Sequence, residues 1–204
     1  MKINARPLKI LSVVLAALLM AVALIYYNFI DKAVPTATLG EAVPTFSVSV
    51  YDRKDGQFEL RKKKVSSNDF KGKVLIVNFW STTCGSCMEE MPHFDEFQKD
   101  YMEDVVVLAL GNEKGWNAEK MGQWMNARRT TKGMQNGVMT EIYRWDTFDI
   151  TFANYTDDND IGKLLGFSGI WPSTAIIDKE GVFQYSREGV MTYEQLEEVV
   201  TPLL

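Results

Sequence analysis

Histidine and cysteine are scarce in this chain, which has 204 residues but one histidine, His93, and two cysteines, Cys84 and Cys87. A structural zinc site usually takes four Cys or His ligands, so the number of ligands argues against zinc binding. A disulfide between two cysteines so close in sequence gains little loop-closure entropy. The sequence therefore favours a redox role for the cysteine pair over a structural one.

Charge is absent from Ile10–Ile30, and this run is long enough to span a bilayer, which takes about 20 apolar residues. Lys2, Arg6 and Lys9 precede the run. Because positive residues tend to stay on the cytoplasmic side, the sequence predicts a cytoplasmic stub at 1–9 and a single transmembrane signal-anchor at 10–30. The remainder is then expected on the extracytoplasmic (periplasmic) side of the cytoplasmic (inner) membrane.

A cleaved signal peptide is the alternative, because Ala21–Ala23 resembles a small-residue cleavage site. The apolar run continues beyond that site, which favours an uncleaved anchor. In either case the folded part is exported. A linker at 31–42, which contains Pro35 and Gly40, is expected to precede the folded domain at 43–204.

The net charge is −5, from 22 basic and 27 acidic residues. Residues 1–30 contain basic but no acidic side chains, so the exported part is more acidic than the whole chain. An acidic domain binds nucleic acid poorly, and we expect no nucleic-acid partner.

Apolar runs and turn residues predict alternating strands and helices, with a hairpin around Asp55-Gly56. Residues 130–157 give no clear pattern. The order of elements predicts an α/β sheet with helices on both faces. The predicted strands are Phe46–Tyr51, Phe58–Leu60, Val74–Phe79, Val105–Leu110, Ser173–Ile177 and Val182–Ser186, and the predicted helices are Met88–Tyr101, Asn117–Arg129, Asp158–Leu165 and Thr192–Leu204.

The motif Cys84-Gly85-Ser86-Cys87 lies between a predicted buried strand and a predicted helix. Backbone N–H groups and the dipole at a helix N-terminus favour a thiolate there. One sulfur can attack a partner while the other waits to resolve the mixed disulfide. The motif therefore predicts thiol–disulfide chemistry.

Three stretches together resemble the thioredoxin superfamily, and more closely its membrane-anchored, exported disulfide reductases, the TlpA/ResA-like family. They are Asp69–Trp80 (DFKGKVLIVNFW), Cys84–Pro92 (CGSCMEEMP) and Gly169–Gly181 (GIWPSTAIIDKEG). The resemblance implies a thioredoxin-like α/β fold, with a central mixed sheet flanked by helices, an N-terminal β-hairpin and an N-terminal membrane anchor. It implies no bound cofactor and no metal.

The resemblance also implies roles for individual residues. Cys84 is expected to attack and Cys87 to resolve. Pro172 matches the proline that is cis in this superfamily and faces the cysteines, and the backbone of Trp171 is expected to pair with an extended substrate. Thr83 stands where the family usually has tryptophan, and Trp171 is bulkier than is usual at its position, so both are candidate substrate-binding residues.

Glu90 matches a glutamate of the family motif and is a candidate catalytic acid–base group for Cys87. Thioredoxins carry an aspartate in the preceding strand, where this chain has Asn78. The alternative is that Glu90 merely complements the helix dipole, the role expected of Glu89. Two carboxylates near the pair should raise the cysteine pKa values and favour the disulfide form, which makes a better reductant than oxidant.

These inferences predict an exported protein disulfide reductase that acts on disulfides of exported proteins and takes electrons from a membrane donor. The family suggests apocytochrome c haem sites or copper-centre assembly proteins as clients. Alternatives on the same fold are a disulfide-forming oxidase, a peroxiredoxin-type peroxidase, and a copper chaperone using Cys84, Cys87 and His93. Val77 stands where the peroxidase motif expects a proline, which argues against the peroxidase.

Overall fold

The computed structural model of the protein describes residues 14–22, 36–127, 130–135, 138–144, 148–154 and 161–204, with the backbone alone within 130–144. The chain divides into two compact units, Met1–Val34 and Pro35–Leu204. In the first unit a helix, α1, covers residues 14–22. Over the described ranges, no helix has both the length and the apolarity needed to cross a membrane. The anchor predicted at 10–30 lies largely outside those ranges and stays a prediction.

The second unit is built around one mixed sheet with the strand order β10-β9-β4-β5-β8-β1-β2, and β3 pairs with β1. Its strands are β1 (Ser47–Lys54), β2 (Gln57–Leu60), β3 (Val65–Ser66), β4 (Val74–Trp80), β5 (Val105–Gly111), β8 (Thr151–Asn154), β9 (Ser173–Ile177) and β10 (Phe183–Glu188). A separate antiparallel ladder joins β6 (Thr130–Gln135) to β7 (Val138–Arg144). The helices are α2 (Gly85–Asp100), α3 (Ala118–Ala127), α4 (Ile161–Leu164) and α5 (Tyr193–Val200), with short 3-10 helices at Ser67–Phe70 and Thr201–Leu203.

The sheet combines both strand directions. Strands β4, β5 and β8 are parallel, whereas β9 and β10 on one side and β1 and β2 on the other pair antiparallel. Helices α2, α3 and α5 contribute buried side chains to the core over this sheet. The predicted α/β class, a mixed sheet flanked by helices, is confirmed.

Strand β4 is central, and all seven of its residues are buried. Successive side chains of a strand point to opposite faces. Val74, Ile76 and Trp80 join the core shared with α2, α3 and α5, while Phe79 on the other face stacks on Phe167, which follows α4. Because both faces are covered, the strand is apolar without alternation, as its sequence predicted.

Most predicted elements occur within a few residues of their expected bounds. Strands β1 and β2 pair antiparallel across Asp55 and Gly56, whose φ values are 50° and 72°. Helix α2 begins at Gly85 rather than Met88, because Cys84 caps it. Helix α5 begins after Thr192, whose side chain forms a capping box with Gln195.

In the unassigned stretch 130–157, the residues that the structure describes form three strands, β6, β7 and β8. Strand β8 is four residues long and mostly buried, so it lacks the alternation that marks a half-exposed strand. The dipeptide Asn136-Gly137 between β6 and β7 is a strong hairpin signal that could have identified that pair.

Part of the predicted linker at 31–42 is hydrogen-bonded to the domain. The N–H of Ala37 donates to the Leu164 carbonyl at 2.6 Å, and the N–H of Gly40 donates to the Phe183 carbonyl at 2.8 Å. The N–H of Phe183 donates in turn to the Glu41 carbonyl at 2.9 Å. Residues 37–41 therefore cover the start of the outer edge of β10.

Candidate active site

The two cysteines lie where the central strand β4 leaves the sheet. A turn, Ser81–Cys84, joins β4 to α2, and the Cys84 N–H donates to the Ser81 carbonyl at 3.2 Å. Cys84 is the N-cap residue of α2, with φ −89° and ψ 99°. The predicted strand–motif–helix arrangement is thus present.

Cys84 and Cys87 form a disulfide, with an S–S distance of 2.01 Å. The Cys87 N–H donates to Cys84 Sγ at 3.2 Å, so the first sulfur receives a helix-terminal N–H group. Cys87 is fully buried, whereas Cys84 is partly accessible. This difference suits Cys84 to attack an incoming disulfide and Cys87 to act from behind it.

Glu90 lies one helical turn after Cys87, and its side chain is fully buried. Residues three apart on a helix share a face, with Cβ atoms about 5–6 Å apart. Asn78 Nδ2 donates to Glu90 Oε1 at 2.7 Å, and the Met191 N–H donates to Oε2 at 3.0 Å. Burial raises the pKa of Glu90 from 4.5 to about 7, and the hydrogen bonds from Met191 and Asn78 offset part of that rise.

Asn78 takes part in the site although it cannot titrate. Its Nδ2 is 3.4 Å from Thr174 Oγ1 as well as 2.7 Å from Glu90. The amide therefore ties β4 to α2 and to β9. Because Asn78 is neutral, Glu90 supplies the buried carboxylate at this end of the sheet. Glu89, by contrast, is exposed.

Trp171 and Pro172 precede β9, and the peptide bond between them is cis. Phe79 of β4 pairs with Ser173 of β9, so the chain before Ser173 and the chain after Phe79 emerge at the same end of the sheet. This brings the Trp171–Pro172 segment to the end of the sheet that carries the cysteines.

Around this segment the surface is partly apolar. Ile170 is 53% exposed and Trp171 is 38% exposed. The Trp171 ring lies 5.6 Å from that of Phe167, which stacks on buried Phe79 at 4.8 Å. Thr83 is also exposed, in the turn before Cys84.

Glu113, on the loop after β5, is a site residue that the sequence reasoning missed. Glu113 Oε2 accepts a hydrogen bond from the Thr82 N–H at 3.2 Å and a second one from Thr82 Oγ1. Nothing in the local sequence marks it beyond its place after a buried parallel strand. The carboxyl ends of β4 and β5 meet at one sheet edge, and that topology could have suggested it.

His93, the third ligand of the copper alternative, lies on α2 after Pro92 and is half-buried. Over the ranges that the structure describes, no group of three or more His, Cys, Asp or Glu side chains is arranged to hold a metal ion.

Comparison with known proteins agrees with this geometry. The AhpC/TSA family profile matches residues 39–186. The thioredoxin-like protein YneN of Bacillus subtilis is 30% identical over 159 residues, which cover 78% of this chain and 76% of YneN. The thiol-disulfide oxidoreductase ResA of Bacillus thuringiensis is 29% identical over 163 residues, 78% of this chain and 75% of ResA.

Among solved structures, the exposed lipoprotein thioredoxin Etrx1 of Streptococcus pneumoniae superposes with a TM-score of 0.58 at 21% identity. The match covers 78% of this chain and all of Etrx1. At that identity it shows the fold, which is thioredoxin-like as predicted. The family match and the curated relatives together show that the chain belongs to the AhpC/TSA family of thioredoxin-like proteins and is a thiol–disulfide oxidoreductase.

Proposed function

We propose that this protein is an exported, membrane-anchored oxidoreductase that chiefly reduces disulfides of other exported proteins. The observation that carries the proposal is the buried carboxylate of Glu90, which lies one turn after the resolving cysteine and has its pKa raised to about 7. Whether the pair donates or accepts electrons depends on how strongly its surroundings stabilise the thiolate forms of the two cysteines.

Two electrostatic effects oppose each other at the cysteine pair. The helix N-terminus stabilises a thiolate by about 0.3–1 kcal/mol, and by up to ~2 kcal/mol in a partly buried site. At the Cβ spacing of about 6 Å expected for residues three apart on a helix, an ionised Glu90 would destabilise a thiolate at Cys87 by about 3 kcal/mol at an effective dielectric constant near 20. The helix N-terminus thus favours a thiolate at Cys84, whereas the ionised carboxylate disfavours a second thiolate at Cys87. The reduced pair is therefore poorly stabilised as thiolates and gives up its electrons readily.

Reduction of a client disulfide would proceed in two steps that involve Cys84, Cys87 and Glu90. The Cys84 thiolate attacks a client disulfide, forms a mixed disulfide and expels one client thiolate, which takes up a proton. Glu90 takes the proton of Cys87, whose sulfur attacks Cys84 Sγ, breaks its bond to the client and expels the second client sulfur as a thiolate, which takes up the proton held by Glu90. The protein dithiol becomes a disulfide and the client disulfide becomes a dithiol, so two electrons and two protons have passed to the client.

Client binding is assigned to the surface beside Cys84. An extended client strand would pair with the backbone at Trp171 and Pro172, and its side chains would meet Trp171 and Thr83. Exposure of Trp171 and Ile170 supports an apolar contact there.

The membrane anchor at 10–30 and the extracytoplasmic placement rest on the apolar run and its basic flank. An oxidising compartment supplies no reducing thiol pool, so the spent disulfide would be reduced by a membrane electron donor. The family resemblance suggests apocytochrome c or copper-centre assembly proteins as clients.

Trapping of clients in cells tests this function. A Cys87→Ser variant keeps the attacking thiol but cannot resolve, so it should accumulate mixed disulfides with exported proteins in the membrane fraction. Cys84→Ser is the matched control and should trap none. A soluble cytoplasmic location, or equal trapping by both variants, would contradict the proposal.

A further inference from the structure

The carboxylate of Glu113 accepts hydrogen bonds from the Ser81–Cys84 turn, although it lies in a different loop. Within the turn the hydrogen bonds are local: the Cys84 N–H donates to the Ser81 carbonyl at 3.2 Å, and the Thr83 N–H donates to Ser81 Oγ at 3.4 Å. Glu113 adds contacts from 31 residues away, because its Oε2 accepts from both the N–H and the Oγ1 of Thr82.

Glu113 is itself held in place relative to β4. The N–H of Asn112 donates to the Trp80 carbonyl at 3.0 Å, so the β4–β5 pairing extends to the residue before Glu113. The N–H of Trp116 donates to the Glu113 carbonyl at 2.9 Å and closes a turn around it. The carboxylate is therefore presented to Thr82 from a fixed backbone.

We propose that Glu113 is a positioning residue that fixes the Ser81–Cys84 turn and thereby shifts the redox equilibrium of the cysteine pair toward the disulfide. The inference rests on the dithiol couple itself and not on the reductive direction proposed above. Glu113 acts through Thr82, whose N–H and hydroxyl both donate to its carboxylate.

The physical reason is coupling between two constraints on one short turn. The disulfide fixes the turn at Cys84, and Glu113 fixes it at Thr82. Each constraint lowers the conformational entropy that the other must remove, so the two favour each other, and the coupling is reciprocal. The carboxylate charge acts in the same direction, because it opposes a thiolate at Cys84.

The experiment compares the equilibrium of each full-length variant with dithiothreitol. In this reaction the protein disulfide and reduced dithiothreitol exchange two electrons and two protons to give the protein dithiol and cyclic oxidised dithiothreitol. Glu113→Ala removes both the acceptor and the charge, and we expect its equilibrium constant to move about tenfold toward the dithiol, equivalent to about 30 mV. Glu119→Ala, which removes an exposed carboxylate on α3, is the matched control and should match the parent.

Two further variants separate geometry from charge. Glu113→Gln keeps an acceptor oxygen but removes the charge, and Thr82→Val removes the hydroxyl donor but leaves the charge. Both should shift the constant in the same direction by less than Glu113→Ala. The pH profile of Cys84 alkylation should move to lower pH in the two Glu113 variants and stay in place in Thr82→Val.

Other ionisable groups at this end of the sheet do not change in these variants. They include Glu89 and Glu90 on α2, Lys114 directly after Glu113, and Glu188 on β10, which accepts a hydrogen bond from Ser168 Oγ. A changed alkylation profile in the Glu113 variants therefore reports the loss of the Glu113 charge.

An unchanged equilibrium constant in a folded Glu113→Ala protein would overturn the proposal. If that variant does not fold, as judged by circular dichroism of the oxidised form, unchanged constants in both Glu113→Gln and Thr82→Val would overturn it instead. The ratio to the parent does not depend on the parent's absolute potential. An oxidising parent would contradict the reductive function and leave this test intact.

Discussion

Glu90 is fully buried and its pKa lies near neutral pH, so its protonation is coupled to folding. Its pKa is raised from 4.5 to about 7, chiefly by burial. The folded state therefore holds the proton more tightly than the unfolded state. The stabilisation is fully present below about pH 4.5 and is lost as pH rises through about 7. A shift of this size corresponds to about 3 kcal/mol.

We therefore expect the free energy of unfolding of the oxidised protein to fall by about 3 kcal/mol between pH 4.5 and pH 8 from this group. Glu90→Gln cannot titrate, so its free energy of unfolding should lose this dependence on pH. The glutamine amide has only one acceptor oxygen, so one of the two groups that donate to Glu90 would lack a partner at every pH. Urea titrations of both proteins across this range measure the difference. Parallel pH profiles would show that Glu90 does not titrate near 7.

Glu90 should also set the thiol pKa values of the reduced protein. Removing its charge removes repulsion, so Glu90→Gln should lower the pH at which the cysteines react with iodoacetamide. Glu89→Gln, which changes an exposed carboxylate on the same helix, is the control and should have a much smaller effect. An unchanged profile in Glu90→Gln would leave Glu90 with a structural role only.

Single residues of the site differed in how well the sequence identified them. The cysteines and Glu90 lie in one motif and Pro172 in another, and the structure brings them to one end of the sheet. Glu113 could not be found in this way, because its role depends on the pairing of β4 with β5, which joins residues 31 apart.

At the scale of elements, the junction of β4 and β5 is tightly packed next to the active-site turn. An added Cβ at Gly111 would lie 2.8 Å from a ring carbon of Trp80, whereas one at Gly85 would meet nothing within 4 Å. We expect Gly111→Ala to destabilise the protein by about 1–3 kcal/mol through overpacking. Gly85→Ala, in the first turn of α2, should be neutral or slightly stabilising. Thermal unfolding of the oxidised forms checks both, and equal stability of the two variants would contradict this account.

Helix α2 also completes the hydrogen bonding of β5. Gln98 Oε1 accepts from the Val107 N–H at 2.6 Å, and its Nε2 donates to the Val105 carbonyl at 2.9 Å. Gln98→Ala should leave two buried backbone groups unpaired and lower the free energy of unfolding by about 3 kcal/mol. Gln123→Ala on the exposed face of α3 should stay within about 0.5 kcal/mol of the parent. Denaturant unfolding distinguishes them, and a Gln98 effect as small as that of Gln123 would refute the role.

Strands and helices could be predicted from the sequence where burial of one or both faces requires a regular pattern of apolar residues. Strands β4 and β5 are largely apolar runs of seven residues, and β9 is a fully buried strand of five residues that starts with Ser and Thr. Helix α5 has a capping residue at its start. Strand β8 was missed because four residues, three of them buried, carry too little pattern to separate strand from loop.

At the scale of the whole molecule, the sheet brings the chemistry to one end. The carboxyl ends of β4 and β5 and the start of β9 meet there, which places the cysteine pair, Glu113 and the Trp171–Pro172 segment together. The carboxylate of Glu90 reaches the same region from α2. The fold thus supplies a partly accessible sulfur, a buried sulfur, a buried acid and a partly apolar surface at Ile170 and Trp171.

The location of the chain is a separate whole-molecule prediction. If residues 10–30 are an uncleaved anchor, the full-length protein should sediment with membranes and resist extraction by carbonate. Exchange of Leu18 and Leu19 for aspartate should release it or block its insertion, since charge is costly in the bilayer core. Recovery of a shortened soluble protein in the extracytoplasmic fraction would instead establish the cleaved signal peptide.

The reduction potential of the Cys84–Cys87 couple tests the central claim most directly. It can be measured on the purified protein at pH 7 by equilibration with a dithiol buffer. A reductase whose thiolates are opposed by Glu90 should have a potential near that of thioredoxin, about −270 mV. A value near that of a strong oxidant, about −120 mV, would contradict the account and show that the helix N-terminus outweighs the carboxylate.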